Sequence, residues 1–147
     1  PALQISYTGL QVRPASAPLN AKILAVPAFT VKLFGYDVNP TLLPTTFTAV
    51  DSTVVDGTPG QQVARPLSVK VRDQFGLGLR NQSVTFTILA GGGTVKRITD
   101  ATFTTSVTVV TDNDGVASVN WALGTDTGVQ RLQAKIGNLE AVVFEKR

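Results

Sequence analysis

Thr111-Asp112-Asn113-Asp114-Gly115-Val116-Ala117-Ser118-Val119-Asn120-Trp121-Ala122-Leu123-Gly124 is the stretch of this chain that decides its fold. It sets a tight turn, a strand and a glycine stop end to end. Ala117, Val119, Trp121 and Leu123 fall on one face of an extended segment, and Ser118, Asn120 and Ala122 fall on the other. Side chains alternate between the faces of a strand, so this is a half-buried strand carrying the only tryptophan of the sequence. It points to a β-sandwich core, not to catalytic apparatus.

The same period of two recurs outward from this stretch. Leu67, Val69 and Val71 alternate with Ser68, Lys70 and Arg72, and Val84, Phe86 and Ile88 with Thr85 and Thr87. The pattern continues through Phe103, Thr105, Val107 and Val109, and again through Leu132, Ala134 and Ile136 against Arg131, Gln133 and Lys135. In the closing Val142-Val143-Phe144, Val142 and Phe144 are assigned to the core. Val71, Val84, Phe86, Val119, Trp121 and Leu123 form its centre. Thr and Val suit a pleated, half-buried surface, and no stretch of helical length carries a 3.6-residue stripe.

Turn residues separate these segments at short intervals: Asp56-Gly57, Pro59-Gly60, Gly76 and Gly78, Gly91-Gly92-Gly93, Asp114-Gly115, Gly124, Gly128 and Gly137-Asn138. Short strands so spaced predict an all-β, antiparallel sandwich over residues 45–147. Residues 1–44 read as a β-rich extension or small subdomain. Leu3, Ile5 and Tyr7 alternate there, as do Phe29, Val31 and Leu33, around a Pro-broken loop from Arg13 to Pro18. Asn39-Pro40 through Leu43-Pro44 reads as the junction. About 44 residues are too few for a sandwich core of their own, so these strands are expected to pack on the larger domain or on a neighbouring chain.

Composition narrows the chemistry. With 43% hydrophobic and 16% charged residues, 147 residues suffice for a packed core. The chain has no histidine and no cysteine. That removes Ser-His-Asp and Cys-His nucleophiles, the usual zinc sites, haem and iron–sulfur ligation, and any disulfide framework. The 13 Lys and Arg, at net charge +3, are scattered along the sequence. They are assigned to solvating strand faces and edges, not to nucleic acid. No run of apolar residues is long enough for a membrane-spanning helix. A chain opening at Pro1 without any methionine is expected to be a processed form or a piece of something longer.

The last hundred residues resemble the bacterial Ig-like domains of group 1, the invasin and intimin stalk modules. That family's motif runs Val-x-Asp-x-x-Gly-Asn-Pro-Val-x-Gly-x-x-Val-Thr-Phe, and Val71, Asp73, Gly76, Val84, Thr85 and Phe86 fall on it without a gap, with Leu79 at the third apolar position. A later motif, Thr-x-x-x-Gly-x-Ala-x-Val-x-(aromatic or Leu)-x-Leu, is met by Thr111, Gly115, Ala117, Val119, Trp121 and Leu123, followed by Gly124 and Thr127-Gly128. Leu77-Gly78 stands in place of the family's Asn-Pro. Asn81 replaces its later Gly, and Asn also tolerates left-handed backbone. A tyrosine corner and the antibody-type cysteine pair are absent. The resemblance implies a rigid, bacterial, extracellular module of a cell-surface stalk.

The remaining motifs have simpler readings. Asp112-Asn113-Asp114-Gly115 resembles part of a calcium loop but lacks the downstream bidentate Glu, and Asx and Gly residues close turns on their own. Ala90 through Lys96 lacks the Gly-Lys-Ser/Thr of a phosphate cradle and reads as a flexible inter-strand loop. Asn81-Gln82-Ser83 is a glycosylation sequon that arises readily by chance. No carboxylate pair is marked as lining a cleft. The expectation is therefore a protein that is not an enzyme and has no cofactor, no metal and no catalytic residues. It is expected outside the cell or at its surface, as a structural or adhesion module whose partners are neighbouring modules or identical subunits. Binding is assigned to the end loops, notably Gly91, Gly92 and Gly93 and the turns at Gly76–Gly78 and Asp112–Gly115. Carbohydrate or receptor binding by the sandwich surface is a weaker option. The alternative is a self-assembling subunit of a filament, surface layer or virion. In it, Phe29, Val31 and Leu33 add strands to a neighbour's sheet edge.

Overall fold

The computed structural model describes residues 41–147 together with two short strands, β1 (Lys32–Leu33) and β2 (Tyr36–Asp37). The chain divides into two compact units, Pro1–Thr41 and Leu42–Arg147. In the first, β1 and β2 pair antiparallel, Lys32 against Asp37 and Leu33 against Tyr36. The alternations expected at Leu3–Tyr7 and at Phe29 and Val31, and the loop from Arg13 to Pro18, lie outside the described residues.

The second unit is all-β, with no helix among its described residues. Its strands are β3 (Pro44–Ala49), β4 (Leu67–Asp73), β5 (Ser83–Ala90), β6 (Thr94–Arg97), β7 (Ser106–Val110), β8 (Val116–Ala122), β9 (Gln130–Lys135) and β10 (Val142–Lys146). They form two antiparallel four-stranded sheets, ordered β3-β4-β8-β6 and β10-β9-β5-β7. The β3–β4 and β9–β10 connections stay within a sheet, and every connection from β4 to β9 passes from one sheet to the other. All these ladders are made by residues from Pro44 onward.

The alternation read from sequence is the alternation of burial. β4 is buried at Leu67, Val69, Val71 and Asp73, with the residues between them half-exposed. β8 buries Ala117, Val119 and Trp121, and Leu123 is buried just past the strand's end. From the facing sheet come Val84, Phe86, Leu132, Ala134 and Phe144, while Val142 is only partly buried. Trp121 and Phe86, each fully buried, are the largest groups of this inter-sheet layer.

Two segments differ from expectation. β7 begins at Ser106, so Phe103 and Thr105 do not extend its alternation. The chain is changing sheets there: Thr104 pairs with Val95 of β6, its N–H donating to Val95 O at 2.8 Å and its O accepting from Val95 N–H at 2.7 Å. β3 has no counterpart among the alternating segments, and it starts at Pro44, inside the expected junction. Among the described residues only one flank of this strand is paired, its Phe47 and Ala49 are half-buried, and a leading Pro is compatible with an edge.

Candidate interaction surfaces

The ends of the sandwich are built from Asx turns and close glycine contacts. At one end, Asp73 Oδ1 accepts hydrogen bonds from the N–H of Phe75 (2.9 Å) and Leu77 (3.0 Å), while Asp73 N–H donates to Leu77 O (2.9 Å) and Gly76 N–H to Asp73 O (3.0 Å). Asp112 repeats this arrangement. Its Oδ1 accepts from Asp114 and Val116 N–H (both 2.9 Å), Asp112 N–H donates to Val116 O (2.9 Å), and Gly115 N–H to Asp112 O (3.1 Å). Asp-x-x-Gly followed by Leu or Val is therefore one turn used twice, once after β4 and once before β8. The two turns dock backbone to backbone. Val71 N–H donates to Gly115 O at 2.8 Å, and a Cβ on Gly78 would collide with Asp114 O. Asn81 takes the left-handed conformation (φ 61°) where the resembled family has glycine.

The docked turns leave an apolar rim. Leu42, Leu43, Phe75 and Leu77 are 50%, 58%, 61% and 67% exposed. Leu43 N–H donates to Gln74 Oε1 at 2.9 Å, which places the start of the unit beside the Asp73 turn.

The triple glycine lies at the opposite end and is packed inward more than expected of a flexible loop. Gly91 and Gly92 have positive φ (88° and 66°) and Gly93 is buried. A Cβ on Gly91 would collide with Gln130, and one on Gly93 would stand 2.6 Å from Ala122 O and 3.0 Å from Trp121 Nε1. Of the three, Gly92 is the one left exposed.

Gln130, fully buried, holds this end together. Its Oε1 accepts from Gly124 N–H (2.7 Å), and its Nε2 donates to Gly124 O (3.0 Å) and Asp126 O (2.7 Å). The sequence reading began this strand at Arg131 and missed the residue. The available signal was that Gln130 shares the inward phase of Leu132 and Ala134. Trp121 is in the core, and its Nε1 is buried with no hydrogen-bond partner among the described residues.

Both open sides of the sandwich are stitched. After β3 the chain crosses to the other sheet and runs parallel to β10: Val55 N–H donates to Glu145 O (2.9 Å) and Glu145 N–H to Thr53 O (2.8 Å). On the far side Thr104 pairs with Val95. Beyond it the outward carbonyls of β7 are capped by side chains, Ser106 O by Thr104 Oγ1 (2.8 Å) and Thr108 O by Arg97 Nε (2.8 Å). Glu145 also bridges Arg131 (2.9 Å) and Arg147 (2.7 Å), and these hydrogen bonds, Arg147's first, hold its carboxyl below the usual range.

A cleft of about 180 Å³ lies under the β3–β4 connection, lined by Asp51, Val55, Asp56, Val63, Arg65 and Leu67. It is smaller than the pockets that enclose drug-sized ligands. Among the described residues no group of three or more Asp and Glu is placed to hold a metal ion, and no helix is long and apolar enough to cross a membrane.

No protein-family model and no curated protein sequence matches the chain. Solved structures do. Domains 4 and 5 of the S-layer protein SbsC superimpose with a TM-score of 0.55 at 19% identity, over 76% of this chain and 48% of that one. The fold is an Ig-like β-sandwich. Trypsin-activated α2-macroglobulin from Escherichia coli gives a TM-score of 0.48 at 21% identity, over 70% of this chain and 6% of that one. The D0–D1 domain of intimin gives 0.43 at 24% identity, over 73% and 46%. The Ig-like chain thus spans about half the length of the SbsC and intimin structures it matches.

Proposed function

We propose that this chain is a non-catalytic Ig-like module of an extracellular bacterial surface structure, acting as a stalk, spacer or interaction unit of the invasin and intimin type. The observation that carries this reading is the stitching of both sides of the sandwich. Val55–Glu145 and Val95–Thr104 join the sheets along their edges, while the twin Asp turns and Gln130 lock the ends. A sandwich so joined resists shear between its sheets, as a stiff spacer needs. The likeness of fold to about half of a structure of S-layer domains 4 and 5 supports a modular role. Contacts to neighbours fall to the end loops, including the turns at Gly76–Gly78 and Asp112–Gly115 and the Gly91–Gly93 loop.

A second reading is a subunit that assembles with identical copies through residues Phe29, Val31 and Leu33. It is favoured by the observation that, among the described residues, both four-stranded sheets are built from Pro44 onward. Sedimentation velocity of the full chain separates the two. A spacer remains monomeric as concentration rises. An assembling subunit forms high-mass species that vanish in a Phe29→Asp, Val31→Asp variant. Assembly that survives this variant removes the segment from the second reading, and any concentration-dependent assembly counts against the first.

A further inference from the structure

Three cations from two separate stretches of the sequence are brought by the fold onto one sheet face. On the outer face of the β3-β4-β8-β6 sheet stand Lys70 and Arg72 from β4 and Lys96 from β6. Register places Lys70 opposite Val116 and Lys96 opposite Asn120 on the intervening β8, a separation of about 16 Å along and across the sheet. The other outward residues of this face are Thr46, Thr48, Ser68, Thr94, Val116, Ser118, Asn120 and Ala122, and none is a carboxylate. No ion pair among the described residues involves Lys70, Arg72 or Lys96. The Lys96 ammonium is held 4.8 Å from the centre of the Phe103 ring, which orients it. The outer face of the opposite sheet does carry a carboxylate, Glu145, which pairs with Arg131 and Arg147 beside Lys135, itself without an ion pair among the described residues.

We propose that this face binds an acidic polysaccharide. Cations without a carboxylate partner attract a polyanion, and the rows between them offer hydroxyl and amide groups (Ser68, Ser118, Asn120, Thr94) matched to sugar hydroxyls. A Ser68–Ser118 hydrogen bond of 2.7 Å fixes the middle of the surface. Three cations spread over such a distance suit a polymer with its charges set apart. Duplex DNA, with a charge every ~1.7 Å of axis, calls for denser neutralisation, and the aromatic ring beside these cations, that of Phe103, is half-buried and already engaged by Lys96. The inference stands whether the module is a spacer or an assembling subunit.

The test is titration of the full chain with polygalacturonate at low salt, beside neutral dextran and a DNA duplex. Binding to polygalacturonate alone is expected, weakening steeply with added salt. A Lys70→Gln, Arg72→Gln, Lys96→Gln variant should bind about tenfold more weakly. An Arg131→Gln, Lys135→Gln variant, altered on the opposite sheet, should bind as the parent does, with far-UV circular dichroism establishing that both fold. Failure to bind polygalacturonate, equal binding to dextran, tighter binding to DNA, or equal loss in the two variants would each overturn the proposal.

Discussion

Trp121 is fully buried between the sheets, and its phase with Val119 and Leu123 announces that burial in the sequence. Trp121→Ala should cost about 3–5 kcal/mol by leaving a cavity the sheets cannot collapse into. For a sandwich of this size the melting temperature should fall by roughly 15–30 °C. Trp121→Phe should cost less than about 2 kcal/mol, because it keeps most of the ring's packing and removes an N–H that has no partner. Calorimetry of the pair checks the assignment, and an unshifted Trp121→Ala would sink it. Gln130 was not legible in the same way. A polar residue in an inward phase reads as the end of a strand until its partners are seen, and those partners belong to a loop. Gln130→Ala leaves Gly124 N–H and Asp126 O without their bonds, and Gly124 O with only the one from Gly60 N–H, and should cost about 2–4 kcal/mol by chemical denaturation.

At the scale of the element, the turns were legible as turns, but their equivalence was not. Asp73-Gln74-Phe75-Gly76-Leu77 and Asp112-Asn113-Asp114-Gly115-Val116 share only Asp, Gly and a closing aliphatic residue, yet they make the same set of bonds. In both, the carboxylate works as an acceptor for two backbone N–H groups, which accounts for Asp112 without a metal. The distinction is testable. Asp112→Asn keeps an acceptor oxygen and should change stability by less than about 0.5 kcal/mol, whereas Asp112→Ala should cost about 1 kcal/mol. Asp73→Ala should cost more, about 2–3 kcal/mol, because Asp73 is only 3% exposed and the stranded N–H groups have less access to water. Added calcium should leave the melting temperature of every variant in place; a calcium-dependent rise that disappears in Asp112→Asn would contradict the turn assignment. The strands show the converse limit. β4 and β8 were legible because one face is buried along their length. β3 was not, because an edge strand with half-buried Phe47 and Ala49 carries too weak an alternation.

For the molecule as a whole, a list of strands does not contain the stitching of one sheet to the other. The Val55–Glu145 and Val95–Thr104 bonds join positions far apart in sequence or set across a change of sheet. Only the assembled sandwich brings them together, as it brings together the three cations of the outer face. Stitching on both sides has a mechanical consequence, since neither sheet can open without breaking pairing to the other and exposing the Trp121 layer. The sandwich should therefore unfold in one step. Because Trp121 is the only tryptophan, its fluorescence reports the inter-sheet layer alone, while far-UV circular dichroism reports the ladders. Denaturant transitions followed by the two probes should coincide in midpoint and slope. Thr104→Pro removes the N–H that bonds Val95 O and also the Oγ1 cap on Ser106 O, which weakens one side only and leaves there the bond from Val95 N–H to the carbonyl of residue 104. That variant should lose stability, and its fluorescence change should come at lower denaturant than its circular dichroism change. If both probes still move together there, the sheets are held by core packing alone and the edge bonds carry no share of the cooperativity.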